Sequence, residues 1–395
     1  MDRRDLLKGT GAIAILVAGG GVWRAYEEGL FSADKGPAFQ PWKNWNEAKT
    51  GPLALVRAAI LSASPHNTQP WLFRVNPAKV ELYADTSRNT GALDPFLREL
   101  HIGLGCALEN MMVTASAIGY RSSADLVPGS LDPPSTKTAP QMVATVEIGP
   151  ATGEADPLYE AIPHRHTNRT DYTMQELPSD FLAALREFPS SLSDTKTFLF
   201  TDAKDRRSIV ELVSQSNRVV YANRKVDAST LPWERFSWKA VERQRDGITP
   251  EDYGVPPLQA AIFMSLPKPA QMAILARAAR DPKDDYGRQL AASPMFGIIA
   301  VRDRYDRQQC LQAGRVWEHS HLLATSRGIA ARPINEAVEL VDIERAQHQK
   351  PGTAAYLAQL MGDITWQPTF MFRMGYALRS AALSPRRDVS QVLLS

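Results

Sequence analysis

Apolar and polar positions along this chain change repeatedly between helical and extended spacing. From Pro52, which is suited to a first helical turn, apolar residues recur at helical spacing as far as Leu61. The two runs at 72–75 and 80–83 are short and rich in Val, Leu and aromatic residues, which predicts strands. This part of the chain therefore predicts a mixed helix and strand unit.

A long apolar helix is predicted next. Asp94 and Pro95 form a favourable N-cap and first-turn pair, and the helical pattern after them ends at Gly119. Residues 121–141 are predicted to be mostly loop, and the apolar run at 143–148 predicts a buried strand. This strand closes a first unit near residue 150.

Parts of this unit recur later in the chain. The predicted helix at 308–328 matches the one at 99–119 with a constant offset of 209 residues, so that Gly105 falls on Gly314. The strand at 143–149 matches a segment 226 residues further on, which implies a 17-residue insertion between helix and strand in the second copy. Two elements repeated in the same order indicate an internal duplication.

The repeat divides the chain into residues 36–150, a first unit, and residues 151–395, a second unit. A proline-bounded linker is predicted at 37–41. Residues 203–292 fall outside the repeated elements and are predicted to be mostly helical, with an aromatic group at 233–238. Such a segment could pack on the core or form a lid over a site.

Composition narrows the class of protein. The chain has 395 residues, 44% of them hydrophobic and 22% charged, which is typical of a globular protein with ample core material. Its 45 Lys and Arg residues nearly balance its 43 Asp and Glu residues, which argues against nucleic-acid binding. Cys106 and Cys310 lack CxxC partners, so neither a disulfide framework nor a cysteine zinc site is indicated.

Residues 1–35 resemble a twin-arginine export signal. Arg3 and Arg4 precede Leu6-Leu7-Lys8 and a weakly apolar run at 11–23. That run is shorter than a comfortable membrane span of about 20 residues, and no small-x-small cleavage site follows it. We expect export by the Tat machinery to a periplasmic or membrane-anchored location. If the segment is instead an amphipathic helix of the folded protein, the location is cytoplasmic.

The segment Ser64–Trp71 concentrates hydrogen-bonding side chains between two prolines. Pro65 and Pro70 restrict the backbone, which predicts an extended and stiff loop whose longer side chains reach outward. Such a loop could read the hydrogen-bonding edge of a planar ligand, or it could be an ordinary polar turn. Trp71 is expected to be a core anchor.

Two basic segments are further candidates. Arg165, Thr167 and Arg169 alternate, so an extended backbone would place both guanidinium groups and the hydroxyl on one side, where they suit phosphate oxygens. The tail at 384–387 adds Arg386 and Arg387. Taken alone, the first segment could equally be a solvated basic loop that joins the two units, and the tail is more simply read as surface charge.

The sequence gives little indication of a metal site or of other common cofactor and catalytic motifs. The histidine pairs 164/166 and 319/321 have i, i+2 spacing, and on a helix such side chains diverge and cannot easily share one metal ion. No Gly-x-Gly-x-x-Gly, Walker or Gly-x-Ser-x-Gly motif occurs, so dinucleotide, P-loop and serine-hydrolase sites are not indicated.

Together, the Ser64–Trp71 loop, the Arg165-x-Thr167-x-Arg169 run and the tail at 384–387 resemble motifs of the flavin-binding nitroreductase superfamily, in particular its tandem, Acg-like branch. The resemblance covers roughly residues 50–395. In that family an Arg-x-Ser-x-Arg run holds the FMN phosphate, and the proline-bounded loop reaches the same flavin from the partner subunit. Here Thr167 replaces the usual serine and keeps the hydroxyl.

The resemblance implies an α+β fold in which antiparallel sheets flanked by helices form two units of an intrachain pseudo-dimer. Each unit carries only half of the family's flavin motifs, so one FMN per chain is expected between them. The implied cofactor contacts are Ser64, His66, Asn67, Gln69, Arg165, Thr167, Arg169, Arg386 and Arg387.

The implied activity is FMN-dependent reduction of a small-molecule acceptor such as a nitroaromatic or a quinone, with NAD(P)H as a possible donor and no catalytic side chain required. Export conflicts with a cytoplasmic donor, which leaves another donor, or a flavin-sequestering protein with little turnover, as alternatives. A monomer or weak dimer is expected.

Overall fold

The computed structural model describes residues 36–133, 139–150, 156–190, 192, 194–280 and 285–395. The predicted export signal lies outside these ranges. The helices are α1 (Gln40–Lys43), α2 (Pro52–Ala59), α3 (Arg98–Ala117), α4 (Ser179–Ser190), α5 (Ala203–Ala222), α6 (Arg224–Thr230), α7 (Trp238–Gln244), α8 (Pro257–Ser265), α9 (Lys268–Arg280), α10 (Asp285–Ala291), α11 (Arg307–Ser326), α12 (Glu336–Ala346) and α13 (Gly352–Met361). The strands are β1 (Trp71–Asn76), β2 (Lys79–Ala84), β3 (Tyr120–Leu126), β4 (Gln141–Pro150), β5 (Thr195–Phe200), β6 (Met295–Val301), β7 (Ala330–Pro333) and β8 (Gln367–Gly375).

The strands form two four-stranded antiparallel sheets flanked by helices. The first has the order β1-β2-β4-β3 and the second the order β5-β6-β8-β7. The α+β class with antiparallel sheets is therefore confirmed, as is the helical character of residues 203–292. None of the described helices is both long and apolar enough to cross a bilayer.

The two sheets also share their strand register at the offsets found in the sequence. Arg121 on β3 pairs with Gly149 on β4. In the second sheet Ala330 pairs with Gly375. Ala330 lies 209 positions after Arg121, and Gly375 lies 226 positions after Gly149. The register between β2 and β4 shifts at residues 142–144 of β4. The register between β6 and β8 shifts at the residues of β8 that lie 226 positions later. Each sheet therefore carries the same irregularity in the same place.

The central helices α3 and α11 cross where two glycines meet. A Cβ atom added at Gly105 would lie 2.9 Å from the Cα of Gly314 and 2.8 Å from the carbonyl carbon of Leu311. A Cβ atom at Gly314 would meet the backbone of Ile102 in the same way. Because glycine has no side chain, these helices approach backbone to backbone.

Several local expectations were wrong. Residues 37–41 are not a linker, since Ala38 and Phe39 are buried in the core. Part of the predicted loop at 121–141 is the strand β3, whose alternating exposure belongs to an edge strand with few apolar residues. Asp94 is not the N-cap residue of α3, although its carboxylate accepts hydrogen bonds from the Glu99 and Leu100 amides at 3.1 and 3.0 Å.

Both later segments of the chain return to the first sheet. The main chain of Phe73 on β1 exchanges hydrogen bonds with Val392 (2.8 Å) and Leu394 (2.7 Å), so the C-terminus extends the edge of that sheet. Side chains from 238–275 join the same hydrophobic core as β1, β2 and α3. This packing brings the tail and the helical insertion to the boundary between the two halves.

Candidate functional site

A cavity of about 970 Å³, part of it open to solvent, lies between the two halves of the chain. It is bounded by the loop before β1, the first turns of α3, the segment at 165–169, the insertion, the start of α12 and the C-terminal tail. The residues lining it are Ala63, Ser64, Pro65, His66, Asn67, Glu99, Ile102, Gly103, Cys106, Arg165, His166, Thr167, Arg169, Ile248, Asp252, Trp317, Pro333, Asn335, Glu336, Glu339, Phe370, Ser384 and Arg386.

The polar loop that forms one wall is tightly turned, so the prediction of an extended loop was wrong. Pro65–Asn67 form a 3₁₀ turn, and His66, Asn67 and Gln69 have φ of 47°, 52° and 52°. Non-glycine residues seldom adopt this left-handed conformation, which costs about 1–2 kcal/mol each. Three such residues within four positions persist only where the surroundings hold them.

Contacts from distant parts of the chain hold this loop. Asn67 and Gly247 exchange two hydrogen bonds, amide to carbonyl at 3.1 Å and side chain to carbonyl at 3.0 Å. The Asn67 side chain also donates to the carbonyl of Pro385 at 2.9 Å and accepts from Arg386 at 2.6 Å. The insertion and the tail therefore both fix the loop.

Arg165 is buried at one end of the cavity. Its Nε lies 3.0 Å from Oε1 of Glu318, an ion pair without hydrogen-bond alignment. Its Nη2 donates to the carbonyl of Leu61 at 3.0 Å, and its Nη1 lies 3.3 Å from Nδ1 of His321. Glu318 also accepts the Ala63 amide at 3.3 Å, so this ion pair anchors the start of the loop.

Arg386 reaches the same place from the tail. Its Nη2 donates to the carbonyl of Leu61 at 3.3 Å, the oxygen that Arg165 also contacts, and its guanidinium packs over the Trp42 ring at 4.7 Å. Among the described residues no carboxylate pairs with it, and its buried Nε has no hydrogen-bond partner. Burial, together with the charge of Arg165, lowers the pKa of Arg386 to about 9.

Three guanidinium groups, those of Arg165, Arg169 and Arg386, lie at this end of the cavity. Arg169 donates to the Asp252 carbonyl at 3.0 Å. Two buried guanidinium groups at one carbonyl oxygen repel each other, so an anionic group placed here would be stabilised.

His166 adds no charge to this end. It lines the cavity and packs edge-on against Trp42 with ring centroids 4.5 Å apart. Burial, together with Arg165 and Arg386, lowers the pKa of His166 to about 3, so its imidazole is neutral at physiological pH. A neutral imidazole can offer a ligand both a donor and an acceptor.

Seven of the nine residues predicted as cofactor contacts line the cavity. The exceptions are Gln69 and Arg387, which bond to each other behind the loop. The Gln69 side chain accepts from the Arg387 amide at 2.8 Å, and Arg387 donates to the Gln69 carbonyl at 3.0 Å. Gln69 and Arg387 therefore contact each other and do not line the cavity. Trp71 is fully buried, and its predicted role in the core is confirmed.

The far end of the cavity is acidic, which sequence reasoning missed. Glu99 comes from the first half of the chain, and Asn335, Glu336 and Glu339 come from the second. All three carboxyl groups are buried. In the sequence these residues belong to ordinary helix-starting segments, and nothing local marks them as neighbours.

Between the two ends the cavity wall is apolar. Ile102 and Gly103 on α3, Trp317 on α11 and Phe370 on β8 line it, and Ile102, Trp317 and Phe370 belong to one hydrophobic cluster. A Cβ atom at Gly103 would lie 3.1 Å from Pro65, so this glycine permits the loop to sit close to the helix. An apolar middle between two polar ends suits a flat ligand with an anionic tail.

The histidines and cysteines of the described residues do not form a metal site. No group of three or more His, Cys, Asp or Glu side chains suited to a metal ion occurs among the described residues. His319 and His321 point apart on α11, the first toward Glu109 and the second toward Arg165. Cys106 and Cys310 are buried free thiols.

The chain was compared with family models, with solved structures and with named proteins. No family model matches the chain. Three solved structures align at low sequence identity: the Bacteroides fragilis nitroreductase with bound FMN (16% identity, TM-score 0.33, 59% of this chain and 95% of that one), the Mycobacterium smegmatis FMN-dependent nitroreductase NfnB in complex with NADPH (14%, 0.34, 59% and 94%), and an FMN- and NADPH-dependent nitroreductase from a Sphigopyxis strain (14%, 0.34, 60% and 98%).

The sequence relatives span nearly the whole molecule. Two proteins of Mycobacterium tuberculosis, from strains H37Rv and CDC 1551, are each 26% identical over 380 residues, which cover 91% of this chain and 95% of theirs. Both carry the name "Putative NAD(P)H nitroreductase". Over 91% of its length, the chain is thus similar to proteins named as nitroreductases.

Proposed function

We propose that the protein is an FMN-dependent oxidoreductase of the nitroreductase type that reduces a nitroaromatic, quinone or similar acceptor. The observation that carries the proposal is the meeting of Arg165 and Arg386 at the Leu61 carbonyl. These two buried cations, both from the second unit, meet at a carbonyl oxygen of the first unit and call for an anion such as a phosphate. The nitroreductase relatives support the same assignment.

The residues present fit FMN. Arg169 and Arg386 would hold the phosphate, with Arg165 behind them and Thr167 as a hydroxyl donor; the partnerless Nε of Arg386 is a donor available to it. Ser64, His66 and Asn67 would contact the ligand from the loop. Bound flavin supplies hydride chemistry, and the protein supplies position, electrostatics and exclusion of water.

We infer one FMN per chain, in a pseudo-dimer that arose by duplication. Glu109 lies 209 residues before Glu318 and is therefore its counterpart in the repeat. Glu109 is bonded to Arg315 at 2.8 Å and to His319 at 3.0 Å, and Phe188 stacks on His319 with ring centroids 3.7 Å apart. The place equivalent to the arginine end is thus filled by side chains. A flavin-to-chain ratio near two would contradict this model.

NAD(P)H is the donor suggested by the names of the relatives. It is available in the cytoplasm, whereas residues 1–35 resemble an export signal. We propose that an exported form, whether periplasmic or membrane-anchored, uses a different donor such as a quinol. Anaerobic reduction tests with NADPH, NADH and a quinol will separate these donors.

A second candidate, flavin sequestration with little turnover, is favoured by one observation. Ile248 and Asp252 of the insertion line the cavity, and the adjacent Gly247 is bonded to the loop. This wall could restrict access of a donor or an acceptor to the flavin. Bound FMN that dithionite bleaches, and that nicotinamides and quinols leave oxidised, would establish sequestration.

The proposal is tested first by cofactor content. Purified protein should be yellow, with one FMN released per chain on denaturation, and anaerobic addition of a competent donor should bleach it. Colourless protein that cannot be loaded with FMN would overturn both candidate functions.

Replacing Arg386 with glutamine should weaken FMN binding by about 10- to 100-fold, because a charge-assisted hydrogen bond to a phosphate contributes about 1.5–3 kcal/mol. Binding of riboflavin, which lacks the phosphate, should change much less. Fluorescence titration of both ligands against the wild type and the R386Q variant measures the difference. Equal losses for FMN and riboflavin would show that Arg386 acts only through the loop.

An exposed arginine supplies the control for this experiment. Arg186 on α4 is exposed and does not line the cavity. Its replacement by glutamine should leave the affinity for both ligands unchanged.

A further inference from the structure

Among the described residues, Glu99 is the carboxyl group that the first half of the chain contributes to the acidic end of the cavity. It lies in the first turn of α3, one turn before Gly103, and only 6% of its surface is exposed. Glu336 and Glu339 line the same cavity from α12. Three buried carboxyl groups therefore line this one cavity.

Contacts from both halves of the chain fix the position of Glu99. The Asn335 side chain hydrogen-bonds to its carboxyl group, and the Asn335 oxygen accepts the Met371 amide at 2.8 Å. The backbone amide of Glu99 donates to Asp94 at 3.1 Å. Asn335, the residue directly before α12, therefore holds the Glu99 carboxyl group in the cavity wall.

The charges around Glu99 do not fully compensate it. Arg98 lies 3.5 Å away, but its guanidinium is also paired with the buried Asp342 at 2.7 Å. Asp94 and Asp342 add negative charge behind Glu99. Burial, the largest cause, raises the pKa of Glu99 to about 7 despite the opposing charge of Arg98.

We propose that Glu99 is the proton donor to the acceptor in the reaction inferred above, and this assignment rests on that proposed function. A quinone that receives a hydride from the reduced cofactor becomes a hydroquinone monoanion and needs one more proton. The O–H bond of the Glu99 carboxyl group breaks as an O–H bond forms on that oxygen. The carboxylate left behind regains its proton from water, so each turnover consumes one hydride and one proton.

The position of Glu99 in the cavity suits this role. The arginine end would take the phosphate, so the reacting part of the ligand extends away from it toward the apolar middle and the acidic end. A general acid works best when its pKa lies near the working pH. Glu99 meets both conditions, since it lies at the acidic end and its pKa is about 7. The His166 imidazole, at the arginine end, is neutral.

The test compares Glu99→Gln with the wild type in single-turnover oxidation of the reduced holoenzyme by benzoquinone across pH 5–9. In the wild type the rate should fall tenfold per pH unit above about 7, because the protonated fraction falls. The E99Q variant should be slower by about 100-fold or more below that pH and should lose the pH dependence. Glu176→Gln, at an exposed position outside the cavity, serves as the control and should match the wild type.

A second readout does not depend on turnover. In ligand-free protein labelled with ¹³C-carboxyl glutamate, one resonance should titrate near pH 7, and it should be absent from the E99Q variant. A Glu99 resonance with an ordinary midpoint, or an unchanged rate and pH profile in E99Q, would overturn this proposal while the flavin assignment stands. A chain that binds no FMN would overturn both.

Discussion

Replacing Arg165 with alanine is expected to lower the free energy of unfolding of the ligand-free protein by about 3–5 kcal/mol. The substitution leaves the Glu318 carboxylate buried without its cation. It also removes a donor from the Leu61 carbonyl. Urea unfolding of flavin-free protein measures the loss, so an effect on cofactor affinity does not obscure it.

A double variant separates the ion pair from simple packing. Arg165→Met combined with Glu318→Gln removes both charges together and should recover much of the stability lost by either change alone, because no lone buried charge remains. Lys79→Ala breaks an exposed ion pair of 2.8 Å with Glu81 and should change the stability much less, because solvent screens an exposed pair. Additive losses in the double variant would contradict the buried-charge explanation.

Replacing Gly314 with valine should cost about 3 kcal/mol or more, or prevent folding altogether, since overpacking at this crossing meets backbone atoms that cannot move aside. The added Cβ would fall inside contact distance of the Ile102 backbone and 2.8 Å from the Cα of Gly105. The two central helices would have to separate, and the cavity walls that they carry would separate with them. Thermal unfolding and far-ultraviolet circular dichroism report the change.

Alanine at Gly314 should follow the same direction with a smaller loss. Gly352→Ala is the matched control, because it is also a helical glycine and its added Cβ would meet no atom within 4 Å. Its stability should be unchanged or slightly higher, as the helix propensity of alanine predicts. If Gly314→Val unfolds at the wild-type temperature, the close crossing of the helices is wrong.

The central helices and strands of the core were predictable from the sequence because their signals are local. The helices at 99–119 and 308–328 and the strands after them carry apolar periodicity and terminal glycines, and the offsets of 209 and 226 residues reappear in the pairing of the strands. The edge strand β3 was not predicted, since three of its seven residues are polar and exposed.

The site was only partly predictable, because its conformation depends on residues far apart in the chain. The left-handed turn at 66–69 is held by Gly247 and Pro385, which no local pattern connects to it. Gln69 was grouped with the cofactor contacts by its motif, but its side chain is bonded to Arg387. The acidic end was missed because Glu99 and Glu336 come together only after the two halves pack.

The return of the C-terminus to the first sheet has a consequence for biosynthesis. Leu394 pairs with β1 and Arg386 contacts the Leu61 carbonyl, so neither contact exists until residues 386–394 have left the ribosome. A nascent chain that stops before residue 385 has the loop at 64–69 but lacks the tail groups that hold it. The walls of the cavity are therefore completed late in synthesis, after both sheets have been made.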